Sequence, residues 1–253
     1  MPHSEGKQIV TSEITSITIM ENIPSASGFY TQNGLKAYIR EGTDDFHLLF
    51  TPREEKIQPH LQMNKGETFV DVGANVGYYS LKTAIENMDN SIKVIAIEAH
   101  PETYSALLKN IRCNGLDIGD DAIITVNKAV ADKRHDAMMY ERHTEDGIKM
   151  AGNSSICITF DKKNSILVQC DTLDNILADY GRVNVLKMDI ESAEVMALMG
   201  ASRVLRELRK IVVEVHGDNL SAVLSILREY EFEVTTIPDE LNVYVIGTRP
   251  TIR

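Results

Sequence analysis

Three groups of residues in this chain have the types and spacing to do chemistry. The first is the turn in VDVGANVGYYS, Val70 to Ser80, where an apolar run meets two glycines. Gly73 gives a position where positive φ is cheap and backbone can approach a ligand. Gly77 starts the following segment with no side chain in the way. N–H groups of a first helical turn there would face an anion, helped by the helix dipole. The second is Glu98, 27 residues after Asp71, at the end of the next apolar run. A carboxylate in that place can accept hydrogen bonds from both hydroxyls of a ribose. The third comprises Lys187, Asp189 and Glu191, then Glu214 and His216. These groups can take or hold a proton, and His216 is the sharpest candidate for a general base because imidazole titrates near neutrality.

The residue between the two glycines narrows the ligand. A dinucleotide brings a pyrophosphate, which demands bare backbone at that point. This chain has Asn75, which accepts left-handed dihedrals better than most residues. S-adenosylmethionine brings only a carboxylate and an amine, tolerates a side chain there, and offers an ammonium that Asp71 can steady. The turn therefore favours the sulfonium cofactor over NAD.

The elements that must position these groups follow from hydrophobic period. TFVDV, KVIAIEA, AIITVNKAV, ILVQCD, VNVLKMDI and KIVVEVH read as strands. GYYSLKTAIENM, HPETYSALLKNIRCNG, DTLDNILADY, SAEVMALMGA and NLSAVLSILREYE read as helices. Pro101 near the start and Gly115 at the end of the second helix follow the expected asymmetry. Asp171 or Thr172 is the expected N-cap of the third. FEVTTIP and NVYVIGT close the chain as adjacent strands. Short apolar strands alternating with amphipathic helices predict an α/β, Rossmann-like fold. Its expected sheet has seven mostly parallel strands with one antiparallel strand near its edge, covered by helices on both faces. That sheet is typical of class I methyltransferases. Lys187, Asp189 and Glu191 share one parity, as do Glu214 and His216. The two strands that carry them are expected to be neighbours.

Residues 1–60 differ: QIVTSEITSITI, LKAYIR and FHLLF are β-prone runs between turn signals, read as a small β-rich N-terminal segment or cap. Residues 61–253 then form the cofactor-binding domain. The charged stretch 131–165 is irregular, with DAMMYER and SSICITF able to pair as a hairpin. In the N-terminal segment, Asp44 and Asp45 either cap the cofactor or make a turn. His100 either flanks an adenine or neighbours a helix cap. Of Tyr78 and Tyr79, one packs and the other faces the cofactor. Glu194 is read as a helix N-terminal charge, the methionines as core filler, and RVLRELRK as a solvated helix end.

FVDVGANVGYYSL, VIAIEAHPETYSALLKNI, VNKAVADK, AGNSSI, CDTLDNIL, VNVLKMDIESAE and IVVEVH, in that order over residues 66–216, resemble the FkbM-type methyltransferases. IREGTDDF resembles the stretch that commonly precedes the family core. The resemblance implies a class I methyltransferase moving a methyl from S-adenosylmethionine to an acceptor hydroxyl, typically on a sugar or secondary metabolite. It carries Asp71, Gly73, Asn75 and Gly77 onto the cofactor turn, with Tyr78 opening the helix behind it. Glu98 becomes the ribose acid, Ala129 lies near the adenine, and Asp189 faces donor and acceptor. Two positions depart. The family usually reads D.EG.E after the fourth strand, and here Ser192 stands for the Gly. It usually reads EP.P after the second, and here Ala99 stands for the first Pro, which alters how adenosine is approached.

With 253 residues, 43% of them hydrophobic, the chain can bury a sizeable core. A net charge of −11 argues against a nucleic-acid partner, which calls for a basic face. Cys113, Cys157 and Cys170 show no paired spacing, so neither disulfides nor a zinc site is expected. They fit a reducing cytoplasm. No apolar leader or membrane span is visible. Asp189, Glu191, Glu214 and His216 are ligand types for a hard divalent ion, but no spacing is diagnostic and no metal is assigned. Other readings are a tRNA or protein methyltransferase on the same fold, a binding module that lost catalysis, and an NAD-dependent oxidoreductase. The first is disfavoured because DIES has no proline or aromatic residue to hold a planar amine.

Overall fold

The computed structural model describes residues 26–51, 54–119, 123–159, 162–239 and 242–249. QIVTSEITSITI lies outside them. A central sheet runs β12-β13-β11-β10-β3-β4-β5. Its strands are β3 (Thr68–Val72), β4 (Lys93–Ile97), β5 (Ile123–Val126), β10 (Val185–Met188), β11 (Lys210–Val215), β12 (Glu233–Pro238) and β13 (Val243–Thr248). β3 pairs in parallel with β4 and β10, and β10 with β11, whereas β13 is antiparallel to both its neighbours. This is the sheet expected from the sequence, with its one reversed strand next to the edge.

β3 is buried on both faces, which its apolar run TFVDV permits. Val70, Val72, Ile95, Ile97, Leu186 and Met188 face one core, together with Leu198, Leu205, Val223 and Leu227 from helices. Phe69, Val94, Ala96, Val185 and Val212 face the other, with Leu81, Leu107 and Ile111. Full burial of one such side chain contributes roughly 1.5–3 kcal/mol. Because strand side chains alternate, Asp71, Lys187 and Glu214 fall on the face of the second core, at its rim nearest the strand tips.

Helix α2 (Tyr78–Glu86) and helix α3 (Pro101–Cys113) cover that face. The buried positions of α3 are Thr103, Ala106, Leu107, Asn110 and Ile111, an amphipathic stripe. Asn110 is polar within it and fully satisfied. Its Oδ1 accepts from Tyr38 N at 2.6 Å and its Nδ2 donates to Val76 O at 2.8 Å. One side chain so ties the N-terminal hairpin, β1 (Gly28–Gln32) with β2 (Leu35–Ile39), to the glycine turn.

FHLLF, read as a strand from sequence, lies in helix α1 (Asp45–Phe50). The local signals outweigh its β-prone composition. Thr43 Oγ1 accepts from Asp45 N, and Asp44 O accepts the first helical bond from Leu48 N at 3.0 Å. Leu48, Leu49 and Phe50 then enter the second core.

The stretch read as irregular is a second sheet, ordered β6-β9-β7-β8: β6 (Ala129–Val130), β7 (His135–His143), β8 (Lys149–Ser155) and β9 (Ser165–Asp171). AIITVNKAV is therefore split between two sheets, and ILVQCD belongs to the second. DAMMYER does join a hairpin, but its partner is KMAGNSS, with SSICITF contributing only Ser154 and Ser155. KMAGNSS has no β-branched or aromatic residue and signals no strand.

Helices α4 (Leu173–Ile176), α5 (Glu194–Met199), α6 (Ser202–Glu207) and α7 (Leu220–Glu229) cover the first core. Thr172 caps α4, its Oγ1 accepting from Asn175 N at 3.1 Å. RVLRELRK is neutralised within the protein: Arg203 pairs with Glu207, and Arg209 reaches Glu67 at 2.7 Å. Met188 is core, but Met138 and Met199 are exposed. No helix among the described residues is long and apolar enough to cross a membrane.

Candidate functional site

Two adjoining cavities open at the tips of β3, β4, β10 and β11, where an open parallel sheet places its ligands. The turn after β3 is held from two sides: Gly73 N and Ala74 N both donate to Ile97 O at 2.9 Å, and Asp189 N donates to Val72 O at 3.0 Å. Gly73 has φ +80° and Asn75 +51°, in the left-handed region the sequence led one to expect of them, and Gly77, expected only to open the helix without a side chain, is left-handed too at +105°. The reason for glycine at 73 differs from the expectation. A Cβ there would lie 1.9 Å from Asp189 O, so a neighbouring strand end, rather than a ligand, fills the space. Gly77 makes room for Leu107 Cδ1, 2.7 Å from the place of its missing Cβ.

The first cavity, about 590 Å³, lies between the turn and the second sheet. Gly73, Asn75, Glu98, Ala99 and Ala129 line it, together with Ile97, Val130, Met139, Gly152 and Ser154. Glu98 accepts from Asn75 N at 2.9 Å and His100 N at 2.8 Å. Burial nevertheless pushes its carboxyl up to about 7, against those two N–H groups and Arg40. Two polar atoms on the wall, Asn75 Oδ1 and Ser154 Oγ, are buried with no hydrogen-bond partner among the described residues. A ligand with donors and acceptors would satisfy them.

The second cavity, about 820 Å³, is lined by Asp44, Glu54, Tyr78, Tyr79, Asn153, Lys187, Glu214 and Asn242. Gly73, Asn75, Gly152, Asp189 and Glu191 line both cavities. Of the cofactor residues expected from sequence, Asp71 and Gly77 are on neither wall, and Tyr78 is on the second. Asp71 is 1% exposed, beneath the turn, and accepts from Ser80 Oγ at 2.7 Å. Tyr79 is the packed one of the tyrosine pair, with Lys187 Nζ 4.8 Å over its ring.

Lys187 stands opposite Asp71 in the register and donates to Asp189 Oδ2 at 3.3 Å. Burial alone would lower its pKa, but Asp189 and Asp71 more than reverse this and keep it charged. His216 lines neither cavity but packs behind Asp189, Glu191 and Glu214, which do. Its Nδ1 is 2.9 Å from Glu194 Oε1, and Asn219 Nδ2 donates to Glu194 Oε2 at 2.9 Å. Its Nε2 faces Glu191, Glu214 and Asp189 at 3.6, 3.8 and 4.0 Å. Burial lowers the imidazole pKa, yet the Glu194 bond and the carboxylates of Glu191 and Asp189 outweigh it and push it up to about 9. As it stands, His216 holds a proton at neutrality instead of accepting one. Burial and Asp189 raise Glu191 and Glu214 above the usual carboxylate range.

Sequence reasoning missed several of these groups. Glu194, read as a helix N-terminal charge, is fully buried as the partner of His216. Asn153, whose Nδ2 donates to Glu191 Oε1 at 2.9 Å, sits in AGNSSI, a run matched to the family without a role. Asn242 donates to Glu214 Oε1 at 2.8 Å from the position just before β13, the strand beside β11. The pair Asp44–Asp45 divides. Asp45 is locked by the Arg40 fork at 2.7 and 2.8 Å, while Asp44 is on the second wall and accepts from Ala151 N at 2.8 Å. His100 flanks the start of α3, where its Nε2 meets Glu141 at 2.7 Å and Lys149 at 3.2 Å, pinning the second sheet over the first cavity.

Ser192, where the resembled family has glycine, has φ +77°. Its N–H donates to Glu194 Oε1 and its carbonyl accepts from Asn219 Nδ2, so backbone alone does its work. A left-handed non-glycine residue costs roughly 1–2 kcal/mol, and glycine returns part of that as chain entropy. Ser192→Gly is expected to stabilise the fold by about 0.5–1 kcal/mol, roughly 1–4 °C in Tm. Ser192→Ala should leave Tm unchanged; a drop with glycine would refute the strain.

Residues 71–234, more than half of the chain, match the Methyltransferase FkbM domain family. Among solved structures the chain is similar to a methyltransferase FkbM from Methylobacillus flagellatus KT. That likeness has 19% identity and a TM-score of 0.53, over 80% of this chain and 47% of that one. The chain thus spans about half the length of that protein. It is also similar to precorrin-6y C5,15-methyltransferase from Geobacter metallireducens GS-15, at 14% identity and a TM-score of 0.49, over 91% and 100% of the two chains. A third likeness is to P. horikoshii TYW2 in complex with MeSAdo, at 16% identity and 0.47, over 88% and 70%. No curated protein matches.

Proposed function

The chain belongs to the FkbM methyltransferase family and has the class I methyltransferase fold, and from that premise we propose that it transfers a methyl group from S-adenosylmethionine to a hydroxyl of a small molecule or sugar. The observation that carries the reading is the wall shared by the two cavities, Gly73, Asn75, Gly152, Asp189 and Glu191. Among the described residues, a donor in one and an acceptor in the other meet at that wall. Positioning of this kind supplies much of the rate of a bimolecular transfer.

The first cavity fits the cofactor. Glu98 is placed to take the ribose hydroxyls, and the apolar side chains of Ile97, Val130 and Met139 suit an adenine. The unpartnered Asn75 Oδ1 and Ser154 Oγ suit the amino-acid end. When bound, the cofactor supplies a methyl on a positively charged sulfur. Glu191, oriented by Asn153 on the shared wall, takes the proton of the acceptor hydroxyl. Asp189 orients that hydroxyl, and Lys187 and His216 hold the surrounding carboxylates in place. The second wall carries Asp44, Glu54, Asp189, Glu191 and Glu214. Such a mouth repels a phosphate backbone, which supports a small acceptor over tRNA.

Calorimetric titration with S-adenosylmethionine, S-adenosylhomocysteine, NAD and ATP tests the reading. The two sulfur nucleosides are expected to bind at one site per chain. Heat from NAD alone would overturn the proposal.

A further inference from the structure

Beside the second cavity, carboxyl groups outnumber the cationic side chains among them. Asp189, Glu191, Glu194 and Glu214 stand around one lysine and one histidine. The oxygens of Asp189 and Glu214 lie 4.0 and 3.8 Å from His216 Nε2. These separations exceed hydrogen-bond length, but they are the edges of a coordination sphere with bonds of roughly 2.0–2.4 Å. The ligand atoms of Asp189, Glu214 and His216 all fall within 4.8 Å of one another.

Two further observations point to a cation there. Glu214 is 8% exposed; its Oε1, the oxygen facing His216, also accepts from Asn242, and its Oε2 is buried with no hydrogen-bond partner among the described residues. On the other side of the ring, His216 Nδ1 meets the buried Glu194. That is the outer carboxylate which fixes the tautomer of a metal-bound histidine and leaves Nε2 to an ion that displaces the proton His216 carries without it. The other such cluster, His100, Glu102 and Glu141, differs: Lys149 Nζ already lies 2.6–3.2 Å from all three.

We propose that Asp189, Glu214 and His216 form a binding site for a divalent metal ion beside the acceptor cavity. Two carboxylates and one imidazole suit Mn²⁺, which accepts both oxygen and nitrogen ligands, better than Ca²⁺. Glu191 is left free of the ion to receive a proton. The site itself does not depend on the cofactor reading. Its role in orienting an acceptor hydroxyl does.

Mn²⁺ added to the full chain without nucleoside, with free ion followed by electron paramagnetic resonance, tests the site. One ion per chain is expected to bind, with Glu214→Gln and Asp189→Asn each weakening it by roughly 30-fold or more. Glu194→Gln, which acts through the ring, should weaken it by roughly 10–100-fold. Glu141→Gln in the other cluster should change nothing. In the unmodified protein, Mn²⁺ should broaden the ring resonances of His216 before those of His100 or His143, a readout that requires no variant to fold. Absence of binding below millimolar Mn²⁺, or broadening at His100 first, would overturn the proposal. Nucleoside binding by the same preparation would then leave the cofactor reading standing.

Discussion

Gly73→Ala is expected to cost roughly 3–5 kcal/mol, adding an overpacked backbone contact to a left-handed residue, and to lower Tm by roughly 10 °C. The added Cβ would lie 1.9 Å from Asp189 O and 3.0 Å from Asp189 C. Both are backbone atoms on a strand end bonded to Val72, so they cannot swing aside. Any relief moves the tip of β10 and with it Asp189 and Glu191. Nucleoside binding and the shared wall should therefore fail together. Gly34→Ala is the internal control, because φ there is +82° and nothing lies within 4 Å of the added carbon. It bears the conformational cost alone, roughly 1–2 kcal/mol. Thermal melts of the two variants decide the matter, and equal losses would show that the close approach is unimportant.

Glu98→Ala should weaken S-adenosylhomocysteine binding by roughly 100-fold, the loss of hydrogen bonds to a charged group. The pH dependence identifies the group more specifically. Burial pushes the Glu98 carboxyl up to about 7, from an ordinary value of 4.5. The ionised form accepts from ribose hydroxyls, so affinity should rise with pH and level off above about 7. Between pH 8 and pH 6 the expected loss is roughly tenfold, a decade per unit below the pKa. The folded-state pKa is raised, so the fold prefers the protonated acid. Its contribution to stability is fully present below 4.5 and lost as pH climbs through about 7. Glu98→Gln should flatten the affinity profile. A profile that keeps its slope in Glu98→Gln would assign the titration to another group.

Most of the scaffold was legible in the sequence because it rests on hydrophobic period. TFVDV, KVIAI and KIVVEV bury both faces, and their β-branched residues, short length and flanking turn signals mark them as strands. The left-handed turn was legible too, since glycine at 73 and 77 and asparagine at 75 are residues that tolerate it. FHLLF was not, because so short an apolar stretch, interrupted by His47, fits either a strand or a helix, and the neighbouring Thr43 and Asp44 decide. The second sheet escaped because KMAGNSS pairs through backbone with little β-prone side chain. Its strands matter to function all the same, for they supply Gly152, Asn153 and Ser154 to the cavities. The candidate site showed the same division. Residues at strand tips, such as Glu98 and Asp189, could be placed by counting. Glu194 and Asn242 reach their partners from separate elements, and Asp71, though at the right position along its strand, points down into the core.

The most direct test is a crystal structure of the chain with S-adenosylhomocysteine. The ribose hydroxyls are expected within hydrogen-bond distance of Glu98, with the sulfur end reaching the wall of Gly73, Asp189 and Glu191. Density for the nucleoside elsewhere, or a cavity beside Glu98 closed by protein atoms, would contradict the account.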